Sequence, residues 1–144
     1  MDHARLDITQ GLDGEAVVLA CFDLGEVEIA ASAHAVQAIA GERFRHAEMS
    51  TDDVLELREL TALADELSDH RSQQGIRTLV MRPRRLNAWR DALTHFVETR
   101  DAAEWLRDDD RVALPAAREL LWPLADLCAD ALRAALSPPA PQAF

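Results

Sequence analysis

The sequence contains no lysine and no tyrosine, and all 15 of its basic residues are arginines. Without a lysine amine the chain cannot supply a Walker-type phosphate loop, protein-kinase catalysis, Schiff-base chemistry or a Ser-Lys hydrolase. Its five glycines form no G-x-G-x-x-G phosphate cradle, and no serine stands in a G-x-S-x-G elbow. The commonest nucleotide-binding and acyl-transfer signatures are therefore missing, and the sequence points to no catalytic residue and no cofactor.

Metal-ligating residues are few, and they lack the spacing of known metal motifs. The two cysteines, Cys21 and Cys128, form no C-x-x-C pair and lie in apolar stretches, so we expect buried, inert thiols. The five histidines are scattered along the chain. The sequence therefore predicts no bound metal; if one were present, His34, His46 and His95 would be the first ligands to consider.

Long apolar runs are also missing. The longest uninterrupted one, 16–22, is far too short to span a bilayer, and the N-terminal residues lead into no apolar signal core. We therefore expect a cytoplasmic protein that does not bind membranes. The net charge is −11, from 26 acidic residues against 15 arginines, which argues against direct binding of nucleic-acid backbones.

This charge is distributed unevenly over two adjacent segments. Residues 52–69 hold seven acids against one arginine, whereas residues 70–90 hold six arginines and no acid. Three of these arginines, Arg82, Arg84 and Arg85, stand where a predicted strand ends and a helix begins. Guanidinium groups at a helix start can bind a carboxylate or a phosphate, so they are our candidate ligand site. The alternative is that they pair with the chain's own acids at the surface.

Alternation of apolar and polar residues predicts strands in the first part of the chain. Residues 4–9 alternate, the segment 11–14 is typical of a turn, and residues 15–22 form a β-branched apolar run that predicts a central strand. Val27, Ile29 and Ala31 alternate again. They predict a third strand that completes a meander.

The region after this third predicted strand is ambiguous. Residues 30–40 fit a strand or a helix equally well, with Ser32 as the cap and Gly41 as the end of a short helix. Residues 43–48 are polar and predict an edge strand at most. The number of strands is therefore open between about three and five.

Helical periodicity is clearer further along. Capping residues and apolar spacing predict helices over 52–70, from 85 to about 106, and from the three aspartates at 108–110 to about 136, with one more strand at 76–81. We predict an α+β fold in which a small antiparallel sheet, mostly N-terminal, packs against three main helices. We expect one domain over residues 1–136 and a Pro-rich tail over 137–144.

The last predicted helix has more apolar circumference than one core requires. Within it Trp122 lies on a polar stripe with acidic residues, as an interface anchor does, whereas Trp89 falls on an apolar stripe and is expected in the core. Pro123 should kink the helix. We predict a homodimer whose interface includes Trp122, Leu121, Leu124 and Cys128.

Three functions remain open from the sequence. The first is a non-catalytic binding or regulatory protein that acts as a homo-oligomer, with a protein partner or a small anionic ligand. The second is an enzyme or sensor whose anionic ligand is held by the arginine cluster. The third is an acidic inhibitor that mimics nucleic acid and occupies a basic partner, suggested only by the net charge.

Overall fold

The part of the chain that the structure describes forms three strands and four helices. The computed structural model describes residues 4–45, 48–71 and 73–136, and His46 and the predicted tail over 137–144 lie outside them. Both an antiparallel sheet and a helical layer are present, which confirms the predicted α+β class. In chain order the elements are β1 (Ala4–Gln10), β2 (Ala16–Leu24), α1 (Glu26–Phe44), α2 (Thr51–Arg71), β3 (Arg77–Met81), α3 (Pro83–Asp101) and α4 (Asp108–Leu136).

The sheet has the order β1-β2-β3 and is antiparallel throughout. A tight connection joins β1 to β2, in which Gly11 donates its N–H to the Glu15 carbonyl at 2.8 Å. Gly14 in this turn has a φ of 82°, a left-handed conformation that favours glycine. The sheet is thus a β1–β2 hairpin extended by β3, which follows α1 and α2 in the chain.

Alternate residues of the sheet face the helices. Phe22 and Leu24 of β2 and Leu79 of β3 are fully buried, because side chains directly opposite each other on paired strands point to one face. Phe22 meets Trp89 of α3 edge-on, with ring centroids 5.2 Å apart. Trp89 is therefore a core residue, as its position on the apolar stripe predicted.

The predicted third N-terminal strand is wrong, because Val27, Ile29 and Ala31 belong to α1. Gly25 is the N-cap of this helix and its N–H is bonded by the Glu28 carboxylate at 3.1 Å. Residues 30–40, which the sequence left open between strand and helix, are helical, but the helix begins before Ser32 and continues through Gly41 to Phe44. The predicted edge strand is therefore wrong for residues 43 and 44. The sheet therefore gains its third strand only after α2.

The remaining helices follow their predicted positions closely. The helix α3 ends at Asp101, a few residues earlier than the periodicity indicated, and α4 continues through Pro115 and Pro123. The buried apolar side chains of the sheet and of all four helices form one cluster. Within the described ranges, none of the helices combines the length and the apolarity that crossing a bilayer requires.

Candidate functional site

A network of charged side chains links three helices on one side of the molecule. His34 of α1 lies with its Nε2 2.6 Å from Oδ1 of Asp110 in the first turn of α4. Arg100, near the end of α3, lies with its Nε 3.4 Å from the other oxygen of Asp110 and donates its Nη2–H to Glu42 of α1 at 3.0 Å. The network therefore fixes α1, α3 and α4 relative to one another.

Local sequence explains how these side chains meet. His34 and Glu42 are about two turns apart on α1, so they project from the same side of the helix. Between them lie Ala38 and Gly41, whose small size leaves open space; a Cβ added at Gly41 would meet nothing within 4 Å. Asp110 lies in the first turn of α4, where the helix dipole favours a negative charge.

Asp110 is a buried carboxylate that remains ionised. It is only 8% exposed, and burial opposes its ionisation, but the hydrogen bond with His34 and the charge of Arg100 outweigh burial and lower its pKa. An ionised carboxylate accepts hydrogen bonds only, so we assign a proton to Nε2 of His34. Phe96 supports the site from α3, because its ring contacts the His34 ring edge-on and lies under the Arg100 guanidinium.

The network forms one wall of a cleft of about 370 Å³. Arg45 and Arg107 are exposed at this cleft, and Arg45 makes no ion pair with any described residue. The lining residues include three arginines and three carboxylates, so their formal charges cancel when His34 is counted as neutral. The chain as a whole has a net charge of −11. We call it the polar cleft; its lining residues are His34, Gln37, Ala38, Gly41, Glu42, Arg45, Arg100, Arg107, Asp109 and Asp110.

One group of possible metal ligands lies in the polar cleft. Ligand atoms of His34, Asp109 and Asp110 are all within 4.8 Å of one another. However, both oxygens of Asp110 already have partners, since Oδ1 lies 2.6 Å from His34 and Oδ2 lies 3.4 Å from Arg100. A metal cation would compete with the Arg100 guanidinium for this carboxylate, so the arrangement favours ligands other than cations.

The histidines named from sequence are partly brought together. Nε2 of His95 lies 3.5 Å from the Glu42 carboxylate, so His34 and His95 both contact the network around Arg100. His95 is about half exposed, as the solvent-facing side of α3 predicted. His46 lies outside the described residues.

The structure does not bring Arg82, Arg84 and Arg85 together. Arg85 is partly buried and pairs with acids of α2, Glu59 at 3.3 Å and Glu66 at 3.7 Å. The side chains diverge because α3 begins at this point and successive residues turn about its axis. Arg82 borders a groove beside the β1–β2 turn, and Arg84 borders another that is also lined by Asp52, Glu56 and Asp91.

The two oppositely charged segments neutralise each other in part. Arg85 bridges α3 to α2, and Arg43 of α1 lies 2.6 Å from Glu56 of α2. The acids of α2 that face neighbouring helices therefore already have partners within the chain. A nucleic-acid mimic needs an unpaired acidic face, and these pairs reduce the acidic surface that such a mimic would present.

The residues named for the dimer interface divide into two sets. Leu124 and Cys128 are buried in the chain's own core, where burial raises the pKa of the Cys128 thiol to about 11. Helical spacing turns these two positions towards α3, so they form no outer surface. Trp122 is 77% exposed and Leu121 is partly buried beside it, so these two remain accessible.

No family model, no curated protein and no solved structure matches this chain. The geometry of the polar cleft is therefore the only basis for treating it as a functional site. Sequence reasoning missed Glu42 and Arg100 entirely, and it gave Asp110 a role only at the start of a helix. The one sequence signal was the run of three aspartates at 108–110, of which the third is buried.

Proposed function

We propose that the protein is a non-catalytic binding protein that takes a small anionic ligand, with a carboxylate or phosphate group, in the polar cleft. The observation that carries this proposal is the pair of exposed guanidinium groups, Arg45 and Arg107, beside the pre-ordered ion network of His34, Glu42, Arg100 and Asp110. Pre-ordering reduces the conformational entropy lost on binding. A regulatory role follows naturally, because a ligand there contacts α1, the connection after α3, and α4.

An anion suits this cleft better than a cation. Arg107 contacts Asp109 only at 3.6 Å and both side chains are more than half exposed, so this pair is weak and its guanidinium is available. Arg45 is exposed and forms no ion pair with a described residue. Two planar guanidinium groups can bind a carboxylate or phosphate through paired hydrogen bonds. Gln37 lies beside them and donates its amide N–H to Ser68, leaving its amide oxygen for a ligand hydroxyl.

Binding is favoured over catalysis by the residues that line the cleft. His34 and Asp110 resemble the base and its orienting carboxylate of a catalytic triad, but the lining residues include no serine, threonine or cysteine. We place this binding protein in the cytoplasm, where its two free, buried cysteines remain reduced. Our proposal therefore moves the anion site from the Arg82 region to the polar cleft.

Thermal unfolding in inorganic phosphate and in citrate tests this function. We expect either anion to raise the melting temperature; at ten times its Kd the gain is about 1.4 kcal/mol, or roughly 3–6 °C for a chain of this size. The double variant Arg45→Gln/Arg107→Gln should lose most of the shift. Chloride at matched ionic strength controls for screening.

Two further variants locate the effect. Arg111→Gln removes an exposed arginine from the same part of α4 but outside the cleft, and it should keep the full shift. Arg82→Gln/Arg84→Gln tests the site indicated by sequence and should also keep it. Equal phosphate stabilisation of the wild type and the Arg45→Gln/Arg107→Gln variant would disprove the proposal.

A further inference from the structure

The outer edge of β1 presents backbone groups that pair with no strand among the described residues. This strand stands at the end of the sheet, and among the described residues no strand pairs with its outer edge. Gly11 donates its N–H to Glu15 of the neighbouring strand. Because backbone groups alternate sides along a strand, those of Ala4, Leu6 and Ile8 point away from β2. Edge strands of this kind pair readily with another chain.

We propose that β1 pairs in antiparallel fashion with β1 of a second copy of the chain, around a two-fold axis at Leu6. The pairing joins two three-stranded sheets into one continuous sheet. Around this axis Leu6 faces the partner's Leu6, Ala4 faces the partner's Ile8, and Arg5 faces the partner's Asp7. The outward N–H and carbonyl groups of Ala4, Leu6 and Ile8 then bond each other across the axis.

The charges on β1 favour this register, and they favour a second copy of the chain as the partner of the strand. Arg5 and Asp7 lie on the same face of β1, and both are about half exposed. An axis at Leu6 places each of them opposite its counter-ion, whereas an axis at Arg5 or at Asp7 places like charges opposite each other. An axis at Ile8 sets the apolar Leu6 against Gln10. The strand sequence is therefore complementary to itself in one register.

The same register covers two large exposed apolar side chains. Ile8 is 61% exposed and Trp122 is 77% exposed. Ala4 and Trp122 border a groove of about 290 Å³ that continues along Pro123 and Leu127 of α4. Ala4 and Ile8 both point to the helical face of the sheet, because each lies opposite an inward residue of β2. The partner's Ile8, opposite Ala4, therefore enters this groove beside Trp122.

Two carboxylates oppose the association. Asp126 and Asp130 also line the groove, and the two-fold axis brings both copies of them towards each other. Arg133 forms an ion pair with Asp130 and compensates part of its charge, but no ion-pair partner among the described residues is found for Asp126. The dimer is therefore of modest affinity, and Asp126 is the residue that limits it.

Sedimentation velocity of the full chain between about 1 and 500 µM tests the interface. We expect a reversible monomer–dimer equilibrium. Arg5→Asp and Asp7→Arg should each weaken dimerisation at least tenfold, whereas the double variant Arg5→Asp/Asp7→Arg restores the opposite pairing and should return the dissociation constant to within about threefold of wild type. Arg111→Asp, an exposed charge reversal outside the groove, should have no effect.

Two α4 variants report on the groove separately. Trp122→Glu should abolish the dimer, and Asp126→Asn should tighten it several-fold; both positions are exposed, so circular dichroism should show an unchanged fold. A monomer at every concentration would overturn the inference, and so would a dimer that neither Arg5→Asp nor Trp122→Glu weakens. The dimer and the anion site are tested independently. The variant Arg45→Gln/Arg107→Gln should still dimerise, and the absence of a dimer would not contradict anion binding in the polar cleft.

Discussion

Among the described residues, Asp110 is the one charged residue that is less than a tenth exposed. Its two oxygens bond two different helices, His34 on α1 and Arg100 on α3. A buried polar group that loses its hydrogen-bond partner costs about 1–3 kcal/mol of folding free energy. This cost is larger than the contribution of a typical surface ion pair. Asp110 therefore matters to stability as well as to the polar cleft.

Asp110→Asn should lower the free energy of unfolding by about 1–3 kcal/mol at pH 7. The carboxyl has a folded pKa below its ordinary 3.8, so its contribution is present above about pH 4 and is lost as the pH falls through the folded pKa. The variant should therefore lose less stability than the wild type on acidification. Urea unfolding at pH 7 and at pH 3 measures both effects.

Asp108→Asn is the matched control for Asp110→Asn. The side chain of Asp108 is fully exposed in the same helical turn, so this variant should unfold like the wild type at both pH values. If the two variants proved equally stable at pH 7, Asp110 would have no special role in holding the helices together.

Why the sequence did not reveal this site follows from the same residues. His34 and Asp110 are far apart in the chain and their contact exists only after α1 and α4 pack together. Glu42 and Arg100 resemble ordinary surface charges in the sequence, since no local motif marks them. A run of three aspartates predicts a helix start correctly, but it cannot tell which carboxylate turns inward.

At the scale of single elements, α1 shows how apolar periodicity can mislead. Val27, Ile29 and Ala31 alternate as strand residues do, yet the buried positions Ile29, Val36 and Ile39 recur at helical spacing. A better signal for the helix is Gly25 followed three residues later by Glu28, whose carboxylate accepts a hydrogen bond from the Gly25 N–H at the helix start. Alanine, the best helix former, fills much of the rest of this segment.

Glycine 41 lies inside α1 and weakens it. Gly41→Ala should raise the free energy of unfolding by about 0.5–1 kcal/mol, because alanine restricts the unfolded chain and the added Cβ meets open space. Gly75→Ala should do the opposite, since Gly75 has a φ of 92°. Chemical denaturation of the two variants checks the signs, and a destabilising Gly41→Ala would mean that the helix end does not tolerate a side chain.

The two prolines of α4 show how a helix accommodates lost hydrogen bonds. Pro115 and Pro123 have no N–H for the carbonyls of Arg111 and Glu119. Both of these residues are exposed, so water can bond the freed carbonyls. The helix therefore continues to Leu136, as its apolar pattern predicted.

At the scale of the whole molecule, the sheet is completed late in the chain. The partner of β2 on its second side is β3, which follows two long helices. Phe22 and Leu24 of β2 are covered only when β3, α3 and α4 are in place, as the Phe22–Trp89 contact shows. The sequence predicted the α+β class and a strand at 76–81, which β3 confirms, but it added a strand at 27–31 that belongs to α1. No local pattern shows that β2 pairs with β3.

A fragment of residues 1–74 should not fold. It retains the hairpin, α1 and α2 but lacks Leu79, Trp89 and the whole of α4, so the inward face of its sheet stays exposed. Circular dichroism and urea titration of this fragment should show no cooperative transition, while the full chain shows one. A sharp transition in the fragment would mean that the N-terminal half has an independent core.

The placement of the three tryptophans gives the molecule its own optical reporters. Trp89 is enclosed in the core, Trp105 is 75% exposed in the α3–α4 connection just before Arg107, and Trp122 is 77% exposed. Trp89 is thus shielded from solvent, whereas Trp105 and Trp122 are exposed in different parts of the molecule, so each indole reports a different event. Emission from Trp89 follows unfolding, emission from Trp105 follows changes near the polar cleft, and emission from Trp122 follows contact with a second chain. Single-tryptophan variants would separate the three signals without any attached dye.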